Sequence, residues 1–348
     1  MASIIVNKKK VSALLSVVLI FVSIFSVIGV KEIKQNSWKN KNYDLSVPVL
    51  GQDGWYMVFE DDFNGNSLNE NITFGDKYDG SKEIWTTSPH AIRWESDKKS
   101  KPEYACWWCP EMVEVKNSYA VIHSRYEENY TCNGNCPKQG RFTGGIETRI
   151  LETNGDSKKD NLLFSQAYGY FECRAKLPNS KGLWSAFWLQ TSTVDMVGNG
   201  GMDGTEIDVF ESSFVNCKKS KMGHALHWDG YGKEHKSSSF VTPLEQNLYD
   251  GYHTYALKWT PEYYVFYIDG APTWATKDGD VSRVKEFLRL TVEIDAGDGW
   301  GPHGQRIGKF SSDNKDNMDF LIDYVKVWQN ENYEKIIQSE TEFTTQNN

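Results

Sequence analysis

Thr205-Glu206-Ile207-Asp208-Val209-Phe210-Glu211 reads as a β-strand carrying one residue too many. In an extended chain successive side chains point to opposite faces, so Glu206 and Asp208 share a face while Ile207 and Val209 turn to a core. Strict alternation then sends Phe210 to the acidic face and Glu211 inside. Burying an unpaired carboxylate is costly, and one extra residue between Asp208 and Glu211 avoids that cost by bringing all three acids to one face. Such bulges are over-represented beside active sites. Three carboxylates in a row repel one another, which raises at least one pKa, and a raised acid suits proton donation near neutral pH. The plain alternative is an acidic strand edge facing solvent. Glu293-Ile294-Asp295 repeats the tripeptide, with Asp298 beyond it, and residue chemistry alone leaves it open as a second candidate.

Upstream, Gly182-Leu-Trp184-Ser-Ala-Phe-Trp188-Leu-Gln190 alternates in the same way. Trp184, Ala186 and Trp188 fall on one face, and two indoles with a small residue between them form a stacking shelf for flat apolar ligand faces or a buried core pair. In Tyr168 to Lys176, Tyr170, Glu172 and Arg174 form a polar face opposite Phe171, Cys173 and Ala175. Further short alternating segments are Trp55 to Phe59, Tyr119 to His123, Tyr255 to Trp259, Tyr263 to Ile268 and Phe320 to Trp328. Tyr267-Ile-Asp269-Gly270 marks a hairpin. No long amphipathic helix and no internal repeat interrupts this texture, which predicts a two-sheet β-sandwich or barrel. His224 and His227 lie three apart, so in a strand they face opposite ways and do not share an ion. His227 is the better groove residue of the two.

The composition narrows the partner. Of 348 residues 39% are hydrophobic and 24% charged, a globular balance, and the 13 Trp, 18 Tyr and 17 Phe suit strands and sugar-stacking surfaces. The formal charge of −9, with no long basic run, argues against nucleic acid and favours a neutral polymer. Lys8 to Lys10 precede an uncharged stretch from Val11 to Val30, so residues 1–30 are read as a signal peptide or a single N-terminal membrane anchor. Either reading exports the chain, as a secreted protein or one held at the membrane. Residues 31–51 read as a polar linker, 52–330 as one all-β domain large enough to be catalytic, and 331–348 as a polar tail. Six cysteines, at 106, 109, 132, 136, 173 and 217, predict disulfides in an oxidising compartment; a four-thiolate zinc knuckle at 106–136 is the alternative.

Taken together, these segments resemble glycoside hydrolase family 16. Glu206-Ile-Asp208-Val-Phe-Glu211 matches its E-x-D-x-x-E signature, in the bulged form of laminarinases and galactan-cleaving members. Tyr168 to Pro178, Gly182 to Leu189, Tyr255 to Glu262 leading into Tyr267 to Gly270, and Asp323 to Trp328 resemble its other motifs in order. The resemblance implies an all-β fold, a concanavalin-like β-jelly-roll sandwich of two curved antiparallel sheets with a concave substrate groove. It also implies retaining endo-hydrolysis of β-linked polysaccharide. By motif position Glu206 is the nucleophile, Glu211 the acid/base, and Asp208 the modulator of their protonation. Trp184 and Trp188 line sugar subsites, His227 sits near the cleavage point, and Arg125 is the groove-side arginine. No cofactor is required for catalysis; some members carry a structural calcium on the convex face, for which this sequence names no ligands. Ser185, in place of the proline common in the W-P-A-F-W run, and the cysteine-rich insert depart from the family pattern. The leading expectation is a β-1,3- or β-1,3(4)-glucanase. An endo-β-galactosidase, a transglycosylase and a non-catalytic lectin-like module are the alternatives.

Overall fold

The computed structural model describes residues 37–94, 106–132, 139–150, 161–295 and 307–337. The leader at 1–30, Cys136, Asp298 and the tail from 338 lie outside these residues. Among the described residues no helix is long and apolar enough to cross a membrane. The chain separates between Asp44 and Leu45 into two units. The described part of the first holds a short 3-10 helix, Ser37–Asn40. All described strands belong to the second.

Two large antiparallel sheets dominate that second unit. The groove sheet has seven strands, in the order Lys236–Pro243, Lys221–Trp228, Glu206–Glu211, Leu183–Gln190, Phe287–Ile294, Gly145–Glu147 and Thr86–Thr87. The nine-stranded back sheet runs Thr73–Phe74, Trp55–Asp61, Phe320–Asn330, Gly169–Lys176, Tyr252–Trp259, Tyr264–Ile268 and Ala271–Thr276, with Val113–Val115 and Ala120–Ile122 beside that path. Every alternating segment read from the sequence is one of these strands, which confirms the jelly-roll expectation. The hairpin at Asp269-Gly270 closes with both residues at positive φ, 50° and 73°, as a two-residue turn between right-twisted strands requires.

The core lies where the sheets face each other. Phe210 packs on Tyr255 of the back sheet, ring centroids 4.2 Å apart, and both are fully buried. His224 turns inward from the groove sheet, with its ring 5.0 Å from Phe266. Burying each such side chain contributes about 1.5–3 kcal/mol, so the core side of every groove strand is strongly specified. What remains on the other side of those strands forms the trough.

A third, four-stranded sheet was not expected. It orders Ala91–Trp94, Cys106–Trp108, Gly140–Thr143 and Arg125–Glu127, with a parallel pair between the second and third. It joins the cysteine-rich insert to the groove sheet, since Trp108 Nε1 donates to the Val292 carbonyl at 2.8 Å.

The cysteines depart from the expected disulfide framework. Cys106, Cys109, Cys173 and Cys217 carry thiols, while Cys132 is disulfide-bonded. The thiols belong to separate surroundings: Cys173 is in the core of the back sheet, Cys106 and Cys109 are buried in the insert, and Cys217 is exposed. A disulfide at Cys132 also removes the four-thiolate zinc knuckle.

Candidate active site

The bulge sits where the alternation argument requires it. Asp208 pairs with Trp188 on one side and Ala225 on the other, but the next paired residue is Phe210 towards Phe187 and Glu211 towards Gly223. One residue is therefore extra between Asp208 and Glu211. Val209 and Phe210 are both fully buried, and Glu206, Asp208 and Glu211 all line a trough of about 610 Å³. The bulge has its own support from His224. Its Nδ1 donates to the Val209 carbonyl at 2.7 Å, and its Nε2 lies 3.0 Å from the hydroxyl of Thr273, which also reaches the Phe266 carbonyl. Burial in this apolar setting pushes its pKa down to about 4 and keeps the ring neutral.

Glu206 is held by two donors. Gln190 Nε2 donates to Glu206 Oε2 at 3.1 Å, and the Tyr231 hydroxyl donates to the same oxygen. The amide of Gln190 is oriented from behind, because its carbonyl oxygen accepts from Arg289 Nη1 at 3.2 Å. Arg289 in turn faces buried Glu147, Nε to Oε2 3.2 Å, which Arg149 also contacts at 2.8 Å. A chain of charge-assisted contacts thus fixes which end of Gln190 meets the carboxylate.

Asp208 lies deeper, at 4% exposed, and its Oδ2 has no hydrogen-bond partner. Burial, and then the negative charges of Glu211 and Glu206, hold its pKa well above the usual carboxylate range. His227 Nε2 stands 3.5 Å from that oxygen, and its Nδ1 meets His235 Nε2 at 2.9 Å. Burial and the neighbouring His235 bring His227 down to about 4, so near neutral pH a neutral imidazole faces Asp208, whose carboxyl is itself shifted towards its protonated form. The contact is polar without being an ion pair.

This electrostatics has a measurable sign. Asp208 holds its proton in the folded state at pH values where the unfolded chain has lost it. Its contribution to stability is therefore full below the ordinary carboxylate pKa and is lost as pH rises towards its raised folded value. Asp208→Asn removes that loss. Across this window the stability difference between mutant and wild type should grow in the mutant's favour by about 1.4 kcal/mol per pH unit, one proton's worth. Denaturant unfolding of both proteins at several pH values checks this, and a pH-independent difference would show that Asp208 ionises normally. Comparing the two proteins matters because His224 and His227, lowered to about 4, impose the opposite slope on both between about pH 4 and 6.5.

The tryptophans share the trough unequally. Trp184 and Trp188 both line it, with Ala186 between them. Trp188 is only 8% exposed, its Nε1 donates to the Thr291 hydroxyl at 3.0 Å, and the Arg289 guanidinium lies 4.1 Å over its ring. The shelf read from the sequence is thus partly covered at Trp188, and Trp184 presents more of its surface. His227 lines the trough as expected; His224 borders it too, but its ring is buried and packs towards Phe266 in the core.

Arg125 is not brought to the acids. It lies on the third sheet, donates to Asp319 Oδ1 at 2.7 Å, and lines a separate cavity with Tyr126, Asn314 and Lys315. Its sequence context pointed to the groove, but its strand pairs within the insert sheet and not with the groove sheet. Glu293, from the repeated tripeptide left open as a second candidate, lines the same trough, opposite Trp184 on the adjacent strand. Gln190, Tyr231, His235 and Arg289 were missed. Gln190 continues the Trp184–Ala186–Trp188 face and was legible by the same period of two; Tyr231 and His235 come from the segment between two strands, where no period applies.

Residues 152–326 match the family model for Glycosyl hydrolases family 16. Among curated relatives, the endo-1,3-1,4-β-glycanase ExsH of Rhizobium meliloti is 29% identical over 178 residues, 47% of this chain and 36% of the relative. The glucan endo-1,3-β-glucosidase A1 of Niallia circulans is 31% identical over 219 residues, 62% of this chain and 29% of the relative. The chain therefore spans about a third of the length of these relatives. The catalytic domain of an endo-1,3-β-glucanase (laminarinase) from Thermotoga petrophila superposes with a TM-score of 0.54 at 20% identity, over 80% of this chain and 99% of that one, and so shares its fold. With the family model spanning half the chain and the bulged acidic strand inside the matched region, the chain belongs to glycosyl hydrolase family 16.

Proposed function

We propose that this protein is an exported retaining endo-β-glycanase acting on β-1,3- or β-1,3(4)-glucan. The observation that carries the reading is the bulge between Asp208 and Glu211, which turns three carboxylates into one trough. A retaining glycosidase needs one carboxylate to attack the anomeric carbon and a second carboxyl to protonate the departing oxygen. Glu206, held by Gln190 and the Tyr231 hydroxyl, is the nucleophile. Glu211, at the other end of the row and flanked by Ala186 and Gly223, is the acid/base. Asp208, its pKa raised by burial and by its two acidic neighbours, puts less negative charge beside the nucleophile than an ordinary carboxylate would. After the leaving group departs, Glu211 takes a proton from water, which attacks the glycosyl-enzyme from the opposite side and restores the β-anomer. No step calls for a metal or a redox cofactor. Trp184 and His227 line the subsites.

Of the curated relatives named above, one is an endo-1,3-1,4-β-glycanase and the other a glucan endo-1,3-β-glucosidase, and the second favours glucan as the polymer. Export rests on Lys8 to Lys10 followed by the uncharged Val11 to Val30, on the disulfide at Cys132, and on a substrate too large to enter a cell.

Incubation with laminarin, lichenan, agarose and keratan sulfate, with the first-formed anomer followed by NMR, tests the proposal. Oligosaccharides from laminarin or lichenan that appear first as the β-anomer are expected. Release from agarose or keratan sulfate alone would replace glucan by galactan, and an α-anomer first would exclude retention.

A further inference from the structure

Outside the trough, three unlike ligating side chains converge in the cysteine-rich insert. One ligating atom each from His90, Cys109 and Glu111 lies within 4.8 Å of the others. His90 Nε2 and Glu111 Oε2 are 2.9 Å apart. We propose that they bind a borderline-soft divalent cation of the zinc class, with Cys109 as thiolate, His90 through Nε2 and Glu111 through a carboxylate oxygen.

The local backbone holds the set in place. Cys109 leads into a 3-10 turn, Pro110–Met112, whose proline starts it without needing a donor. The Cys109 N–H donates to the Thr143 carbonyl at 2.8 Å, and the Met112 N–H to the Cys109 carbonyl at 3.0 Å. Cys109 is fully buried against Met112 and Phe142, with Trp107 and Tyr130 packed around them. Glu111 follows two residues later on the same turn, and His90 comes from the segment before the neighbouring strand. The side chains of His90 and Glu111 are 23% and 27% exposed, so the cluster has one wall in the core and one side open to solvent.

The donor set selects the ion. Sulfur, nitrogen and one carboxylate suit zinc and its late first-row neighbours, whereas calcium and magnesium want oxygen throughout. Three protein ligands leave a fourth position on the open side for water. Without an ion, burial and the Glu111 charge push the Cys109 thiol up to about 12. A bound dication reverses that balance: the S–H proton passes to solvent as the metal–sulfur bond forms. The ion would also clamp the segment next to Trp108, whose indole anchors the insert to the strand bearing Arg289, Thr291 and Glu293.

Cobalt titration of the metal-stripped full chain tests the site, because a thiolate–cobalt bond gives a near-ultraviolet charge-transfer band. The second cluster of ligating groups, Glu206, Asp208 and His227, has no sulfur and gives none. Wild type is expected to show a saturable band that Zn²⁺ abolishes by displacement, and Cys109→Ser to lose it. His90→Ala and Glu111→Gln, at partly exposed positions, should each weaken cobalt at least about tenfold while keeping the fold. No band in wild type, a band that survives Cys109→Ser, or unchanged affinity in both partly exposed variants would overturn the proposal. If Cys109→Ser does not fold, those two variants decide it alone.

Discussion

Glu206→Gln is expected to lower turnover of glucan by on the order of 10⁴-fold or more while leaving oligosaccharide affinity within a few-fold of wild type. The amide keeps the size of the side chain, and its carbonyl oxygen still accepts from the Tyr231 hydroxyl, so the trough floor is undisturbed. What is lost is the anionic oxygen that forms the glycosyl bond, and nothing else nearby replaces it. Asp208 is set deeper with its pKa raised, and Glu211 is displaced along the strand by the bulge. Binding measured by calorimetry, alongside turnover, separates the outcomes. Full activity would remove Glu206 as nucleophile, and joint loss of turnover and binding would mean that the substitution had deformed the trough.

The second large effect belongs to Glu211→Gln, and it should depend on the leaving group. Protonating a departing sugar hydroxyl in the transition state is worth about 10²–10⁴-fold, and that factor is needed because an alkoxide leaves poorly. An aryl glycoside with an acidic phenol leaves without help. Glu211→Gln is therefore expected to slow laminarin cleavage by about 10³-fold while barely slowing the first step on an activated aryl oligoglucoside. Glu206→Gln should be inactive on both. Equal losses on both substrates in Glu211→Gln would assign it the nucleophile's role instead. Because the two variants predict different patterns, the row Glu206–Asp208–Glu211 can be read end to end.

Much of this site was legible because its decisive feature is local. The bulge followed from two rules that act within seven residues: side chains alternate, and a buried carboxylate without a partner is expensive. The face shared by Trp184, Ala186 and Trp188 followed from the first rule alone, and the separation of His224 from His227 did too. Arg125 shows where such reading stops. Its neighbours in sequence resembled a groove segment, but the choice of sheet for a three-residue strand depends on which strand it pairs with, and Gly140–Thr143 captured it. Trp188 shows a subtler limit. Its face was read correctly, yet the guanidinium that covers the ring comes from Arg289 on another strand. The cysteines met the expectation only in part, with a disulfide at Cys132 and thiols at four others: compartment sets whether thiols oxidise, but packing sets whether any two meet, and Cys173 is enclosed in the core.

The amino-acid order by itself determined the all-β texture, the kink in the acidic strand, and the three carboxyl groups on one side of it. These rest on a period of two and on desolvation costs that each residue carries wherever it lies. Only the tertiary structure decided that Gln190 and Tyr231 grip Glu206, that Glu147 and Arg289 orient Gln190, and that His90 meets Cys109 and Glu111. Those partners are far apart along the chain, and the register between strands, which fixes their distances, comes from packing the two sheets as a whole.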